Sequence, residues 1–408
     1  MTEDDWSANH SCLQCDLGTP CSACEQVSSS ARIPRGPCVH PRLDTVQAFR
    51  AGDGDNGTLV PTLPKLRWPH SSQSRQVEIT WDFSPEVVSH PPFLRLEVCE
   101  FEPNGETLAE EWTSDDCAES QVLLLPALAC RNIEVATKAI GDFLNDCQLS
   151  LERTISDLSD DPLILMTWNE VLRVRQTHHS KTLSNAVRIY TSTLLNTEYL
   201  MSVDANTFGR PDVPNPPFFF KERSGGLLPP QLTFQLQTII AMTQTRLQLA
   251  VIKDLKRMIF AQNRRVHWRT IFLTTFILFS SIELVYRKQR DFLRAKRGIS
   301  QPYRNNVSFV TQYMMNQWEK TAENLISHYR FVMRGQVLFS QPEGRDFEKN
   351  LGDAGLDRQG EDFVRNVRRV LESRQIELKK ARDSRNENDR QGLWSICELF
   401  LPDNAEST

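Results

Sequence analysis

Five of the ten cysteines lie within the first forty residues: Cys12, Cys15, Cys21 and Cys24 in the run CLQCDLGTPCSAC, and Cys38 in GPCVHPRL. Cys12-x2-Cys15 and Cys21-x2-Cys24 are chelating pairs, because two intervening residues let the chain turn so that both thiolates face one metal ion. Two such pairs complete the tetrahedron that zinc prefers. Asp16 and the turn Gly18-Thr19-Pro20 separate the pairs, and Cys38 adds a fifth thiolate, which suits a shared two-metal arrangement better than a single site. The acidic, polar MTEDDW lacks the pattern of a secretory signal, so the thiols are expected in a reducing compartment, where metal binding outranks disulfides.

Positioning these thiolates falls to a stretch that cannot do it unaided. Residues 1–50 hold too few apolar side chains for a core, so bound Zn2+ must supply the folding energy of this small module. Residues 51–75 are rich in Gly, Pro and Ser without periodicity and read as a linker. The remaining chain, 76–408, carries enough apolar residues for a large domain. Two runs in it, VEITWDF and PFLRLEVCEF, alternate as a short β hairpin does, and the eight acidic residues between 100 and 120 read as a solvated loop. After Pro126 the spacing is helical, with helices expected near 127–148, 163–200, 231–262, 265–297, 305–334 and 359–387, separated by RPDVPNPP, GGLLPP and a loop over 340–360. The expected fold class is therefore mainly α: a large helical body, a small N-terminal cysteine module and a short β hairpin. The apolar run from Ile271 to Tyr286 is short for a bilayer and contains Glu283, so a buried helix is expected and no membrane partner.

A net charge of -5 gives no overall attraction for nucleic acid, so any such partner needs a local patch. The one strong asymmetry runs from Arg246 to Arg297, with thirteen Lys and Arg against Asp254, Glu283 and Asp291. Arg264, Arg265 and Arg269 with Trp268, or Arg287, Lys288 and Arg290, could meet phosphate or an acidic segment such as the chain's own 100–120 run. The competing and preferred reading is core helices with basic outer faces, supported by Leu247, Val251, Leu255 and Met258 at helical spacing. Gly52-x-Gly54-x-x-Gly57 has the spelling of a dinucleotide loop but neither its flanking strand nor its helix. His178 and His179 are neighbours on an expected helix and diverge, so they read as exposed. Cys99, Cys117, Cys130, Cys147 and Cys397 read as small apolar residues. The sequence shows no nucleophile elbow, phosphate loop or zinc-protease helix. It therefore assigns no catalytic residue and no organic cofactor site, and an enzyme is not expected.

The run CDLGTPCSAC followed by the cysteine of GPCVHPRL resembles the second half of the fungal binuclear zinc-cluster (Zn(II)2Cys6) domain of transcription factors. Cys15, Cys21, Cys24 and Cys38 match the third to sixth ligands of that pattern. The first pair would fall near Trp6 and Asn9, so the cluster is incomplete, and Cys12 stands where the family has no ligand. The body, in VIKDLKRMIFAQNRRVHWRTIFLTTFILFSSIELVYRKQ, NQWEKTAENLISHYRFVMRGQVLFS and LWSICELFLPD, is similar to the helical regulatory region of such factors. The resemblance implies a nuclear, zinc-dependent regulator that binds DNA and controls RNA polymerase II genes. Residues 1–50, however, hold four arginines, no lysine and six acidic residues, and lack the basic helix that the family lays in the groove. That absence carries the alternative of a regulatory protein with a degenerate finger, which binds other transcription regulators rather than DNA. No sustained heptad marks a dimerisation coil.

Overall fold

A computed structural model describes residues 65–81, 93–103, 109–158, 161–197, 200–208, 226–295, 301–332, 338–340, 344–383 and 394–401, with breaks at 115–116 and 205–206, together with Leu43, Val46 and Leu63. The chain forms two compact units: Arg50–Leu158 with Val187–Leu247, and Met1–Phe49 with Ser159–Ala186 and Gln248–Thr408.

The first unit is built on strands β1 (Ser74–Trp81), β2 (Leu94–Glu100), β5 (Leu128–Ala129), β6 (Leu200–Ser202) and β7 (Gly226–Leu227), in the order β5-β2-β1-β6-β7 with antiparallel pairing. Alternation decides the register: Leu94, Leu96 and Val98 turn into the core while Arg95 and Glu97 face out, and Arg95 meets Glu78 across the pair at 2.8 Å. Helix α1 (Ile133–Leu158) packs on β2, and its Phe143 stacks on Trp81 of β1 with centroids 4.8 Å apart. A second hairpin, β3 (Ala109–Ser114) and β4 (Cys117–Leu124), stands as its own two-stranded sheet.

The second unit is helical: α2 (Pro162–His178), α5 (Trp268–Ala295), α6 (Gln301–Val332), α7 (Arg345–Asp353), α8 (Arg358–Asp383) and α9 (Trp394–Phe400). The unit boundary falls inside α3 (Lys181–Thr197) and α4 (Pro230–Ile259), which carry the chain from one unit to the other. Helix α5 is the core, since every residue from Ile271 to Ile282 is buried, as an all-round apolar helix requires. Thr275, Ser280 and Ser281 survive there because each hydroxyl donates to the carbonyl four residues back. Phe272 is the hub, with the rings of Trp268, Phe339 and Phe400 centred 5.3, 5.0 and 5.7 Å away. This is the one helix long and apolar enough to cross a membrane among the described residues, and 83% of its apolar window is buried. Glu283 accepts the N–H of Ile396 at 3.1 Å, so the carboxylate within the apolar run serves the start of α9.

The mainly α class holds, and the expected β1–β2 pair forms. Several local expectations are corrected. The supposed loop over 100–120 contains β3 and the start of β4, and the sheet recruits β5, β6 and β7, each of two or three residues. The long helix over 163–200 is two helices, because His179 takes the left-handed conformation at φ 46° and Ser180 starts a new turn, its hydroxyl oxygen accepting from the Leu183 N–H at 3.4 Å. Helix α1 begins six residues later than expected, after β5, and α7 occupies part of the supposed loop over 340–360.

Candidate functional site

The candidate metal ligands Cys12, Cys15, Cys21, Cys24 and Cys38 lie outside the described residues. Among the described residues no cluster of three or more His, Cys, Asp or Glu side chains could hold a metal ion. Cys99, Cys130, Cys147 and Cys397 are free and buried, as expected. Burial, with Cys99 beside it, pushes the Cys130 thiol up to about 12, and burial near Glu283 does the same for Cys397, so neither is a ready nucleophile.

The Arg264–Arg269 part of the basic tract is engaged within its own unit. Arg264 lies over the Phe331 ring at 4.3 Å and donates to the Val332 carbonyl. Arg265 pairs with Asp353 at 2.6 Å, Arg269 pairs with Asp357 at 2.9 Å, and Trp268 is buried in the aromatic core. The reading of core helices with charged flanks therefore applies to this group, and the acidic partners are Asp353, Asp357 and Glu170. Arg287 is exposed and Lys288 half-buried. The side chain of Arg290 is outside the described set.

The Arg269 pair is part of a larger cluster at Asp357, which precedes α8 and caps it by accepting the Gly360 N–H at 2.7 Å. Arg173 of α2 donates to both Asp357 oxygens at 3.2 Å, and His178 Nε2 stands 3.2 Å from one of them and 3.1 Å from Arg269 Nη2. Arg173 also grips Glu170 with two bonds of 2.7 Å, and the Glu170 side chain is only 4% exposed. Burial alone pushes the Asp357 carboxyl up, but the bonds from Arg173, the Gly360 N–H and His178, with the Arg269 charge, hold it well below the usual carboxylate range. Gly360 leaves room for this approach, since a Cβ there would stand 2.9 Å from Arg269 Nη1 and 3.0 Å from Asp357 Oδ1, and the Arg269–Asp357 pair would have to shift. The arrangement ties α2, α5 and α8 together. It has the chemistry of a structural clasp: its acids and bases face one another.

Another part of the tract remains on the surface. On α4, Leu249, Lys253, Lys256 and Arg257 are exposed at spacings of four, three and one residues, which places them along one side of the helix. Arg257 pairs with Asp254 at 3.2 Å, and the ammonium groups of Lys253 and Lys256 face solvent. The same helix meets the segment after Cys38: Leu43 and Val46 are buried, and Gln248 Nε2 donates to the Val46 carbonyl at 2.7 Å. This anchor was not legible in the sequence, where PRLDTVQAFR has no pattern to mark it.

The described residues form a helical body with a small antiparallel sheet and a separate hairpin. Residues 67–395 match the KpeA transcription factor family, and the chain belongs to it. It is also 36% identical, over 389 residues, to a protein described as the satratoxin biosynthesis SC3 cluster transcription factor SAT20 of Stachybotrys chartarum. That alignment takes in 95% of this chain and 54% of the relative, so the chain spans about half of the relative's length. No solved structure matches the chain. The chain is thus a member of a family of transcription factors.

Proposed function

We propose that this protein is a nuclear, zinc-dependent, DNA-binding regulator of RNA polymerase II genes, with Cys12, Cys15, Cys21, Cys24 and Cys38 supplying the metal ligands. The observation that carries the reading is the double Cys-x2-Cys spacing ahead of a body that belongs to a transcription factor family. The donor set fits zinc, because thiolates are its preferred structural ligands and two close pairs with a fifth thiolate can close a tetrahedral or a shared site. Its role is structural: bound zinc would fix a segment that has no core of its own. By analogy with the relative, whose description names a biosynthetic cluster, the genes controlled here are those of a biosynthetic gene cluster.

Metal analysis of the purified chain tests the first half of this reading. At least one zinc per chain is expected, with loss in the paired variant Cys21→Ser, Cys24→Ser; a wild-type chain without zinc sinks the metal claim. One specific observation favours a second reading, a regulator with a degenerate finger that binds other regulators: residues 1–50 carry two more acidic than basic side chains. Such a segment repels a polyanion instead of releasing its counterions.

A further inference from the structure

Strand β2 is paired unevenly on its two edges. On one side β1 covers it from Leu94 to Cys99, but on the other β5 meets only Cys99 and Glu100. Among the described residues no strand pairs with the outer edge from Leu94 to Val98. Arg95 and Glu97 supply the backbone groups of that edge. Phe101 donates its N–H to the Ala127 carbonyl at 3.0 Å, so its backbone points towards the β5 side, and alternation turns the backbones of Glu97 and Arg95 the same way. The far side of β1 agrees: Glu78, which stands opposite Arg95, turns its carbonyl away from β2 to accept the Val203 N–H at 2.9 Å. Both side chains, Arg95 and Glu97, are exposed. An open edge of this kind is a template for another strand.

We propose that the occupant is a second copy of the chain, with the outer edges of β2 joined antiparallel about a two-fold axis at Leu96, so that Arg95 of each copy faces Glu97 of the other. Charge selects this register. With Arg95 and Glu97 pointing outward, an axis at Arg95 would set two guanidinium groups face to face, and an axis at Glu97 two carboxylates. Like charges directly opposite destabilise a strand pair, and opposite charges stabilise it. The axis at Leu96 gives two Arg–Glu pairs, and two hydrogen-bonded pairs that exchange two bonds each make about four backbone bonds. Charges on an edge ordinarily block pairing, but this set complements itself, as a two-fold contact requires. Arg95 can serve both neighbours: its Nε is bonded to Glu78 at 2.8 Å, and its Nη groups have no hydrogen-bond partner among the described residues. Glu97 has no cation partner among the described residues. Neither zinc nor DNA is needed for this contact, which adds self-association to the reading above.

Sedimentation velocity of the full chain over about a hundredfold range of concentration reads the association directly. Wild type is compared with Glu97→Arg, with Arg95→Glu, and with an equimolar mixture of the two variants. Wild type should pass from monomer to dimer as concentration rises. Each charge reversal acts twice across the axis and should raise the dissociation constant at least about tenfold. The mixture should recover the dimer as a heterodimer, because one variant then presents two cations on its edge and the other two carboxylates. That recovery is the result a merely misfolded variant cannot produce. Both positions are exposed, so circular dichroism spectra like that of wild type are expected. A wild type that stays monomeric throughout overturns the proposal and shows that no second copy takes the edge. A dimer that both reversals leave intact places the contact elsewhere and overturns it too, and a mixture that remains monomeric contradicts the register. None of these outcomes bears on zinc content or duplex binding, so the two readings fail separately.

Discussion

Asp357 answers at once to a helix N-terminus, two guanidinium groups and an imidazole. A carboxyl held below its usual range stabilises the fold only while ionised. Its contribution is complete above the unfolded value of about 3.9 and declines as pH falls below that towards the lower folded value. Asp357→Asn keeps the shape and removes the charge, so it should cost about 1–2 kcal/mol at neutral pH, the size of a lost cap. The side chain is 38% exposed, and solvent screening keeps the figure modest. Denaturant unfolding at pH 7 and pH 3 reads the difference: the gap between wild type and variant should narrow at pH 3, and an equal gap at both would show that the carboxylate's charge is immaterial. The basic residues of this tract were visible in the sequence, but their partners were not. Asp357 lies 88 positions from Arg269 and 184 from Arg173, and no local pattern encodes such a meeting.

Among the elements, α2 was the most readable at its start and the least at its end. Asp161 followed by Pro162 is a helix-start signature, and the Asp161 carboxylate accepts from the Leu163 and Ile164 N–H groups at 2.9 and 3.4 Å. It also receives Arg374 of α8 at 2.8 Å, so a cap doubles as a tie between helices. Asp161→Ala should therefore cost more than an isolated cap, about 2 kcal/mol or above, measured by chemical denaturation. Asp161→Ser, which restores the cap alone, should recover part of it, and full recovery by Ser would show that Arg374 adds nothing. The break at His179 is hidden in the sequence because the apolar spacing resumes in phase in α3. Only a histidine in left-handed conformation and a serine mark it. Strands β5 to β7 are too short for alternation to register: β5 forms on the edge of β2, β6 on the edge of β1, and β7 on β6. Helix α5 was legible for the opposite reason: a run of apolar residues that size has to be buried, and Glu283 within it needed a partner, found in the Ile396 N–H.

At the scale of the whole molecule, the α class and the regulatory character were readable from periodicity and from resemblance. The candidate ligands Cys12, Cys15, Cys21, Cys24 and Cys38 lie outside the described residues, and metal binding by them is the proposal to be tested. The sequence did not show the burial of Leu43 and Val46 or the bond from Gln248 of α4 to the Val46 carbonyl, because two apolar residues in an otherwise unpatterned stretch carry no signal. The central claim is zinc-dependent, sequence-specific binding. Its most direct measurement is a titration of the zinc-loaded chain against labelled genomic promoter fragments at physiological salt, repeated after chelation. A subset of fragments should bind at least about 10³-fold more tightly than random duplex, and that preference should vanish with the metal. Uniform weak binding to all fragments, unchanged by chelation, would contradict the claim and leave the protein as a regulator that acts through other proteins.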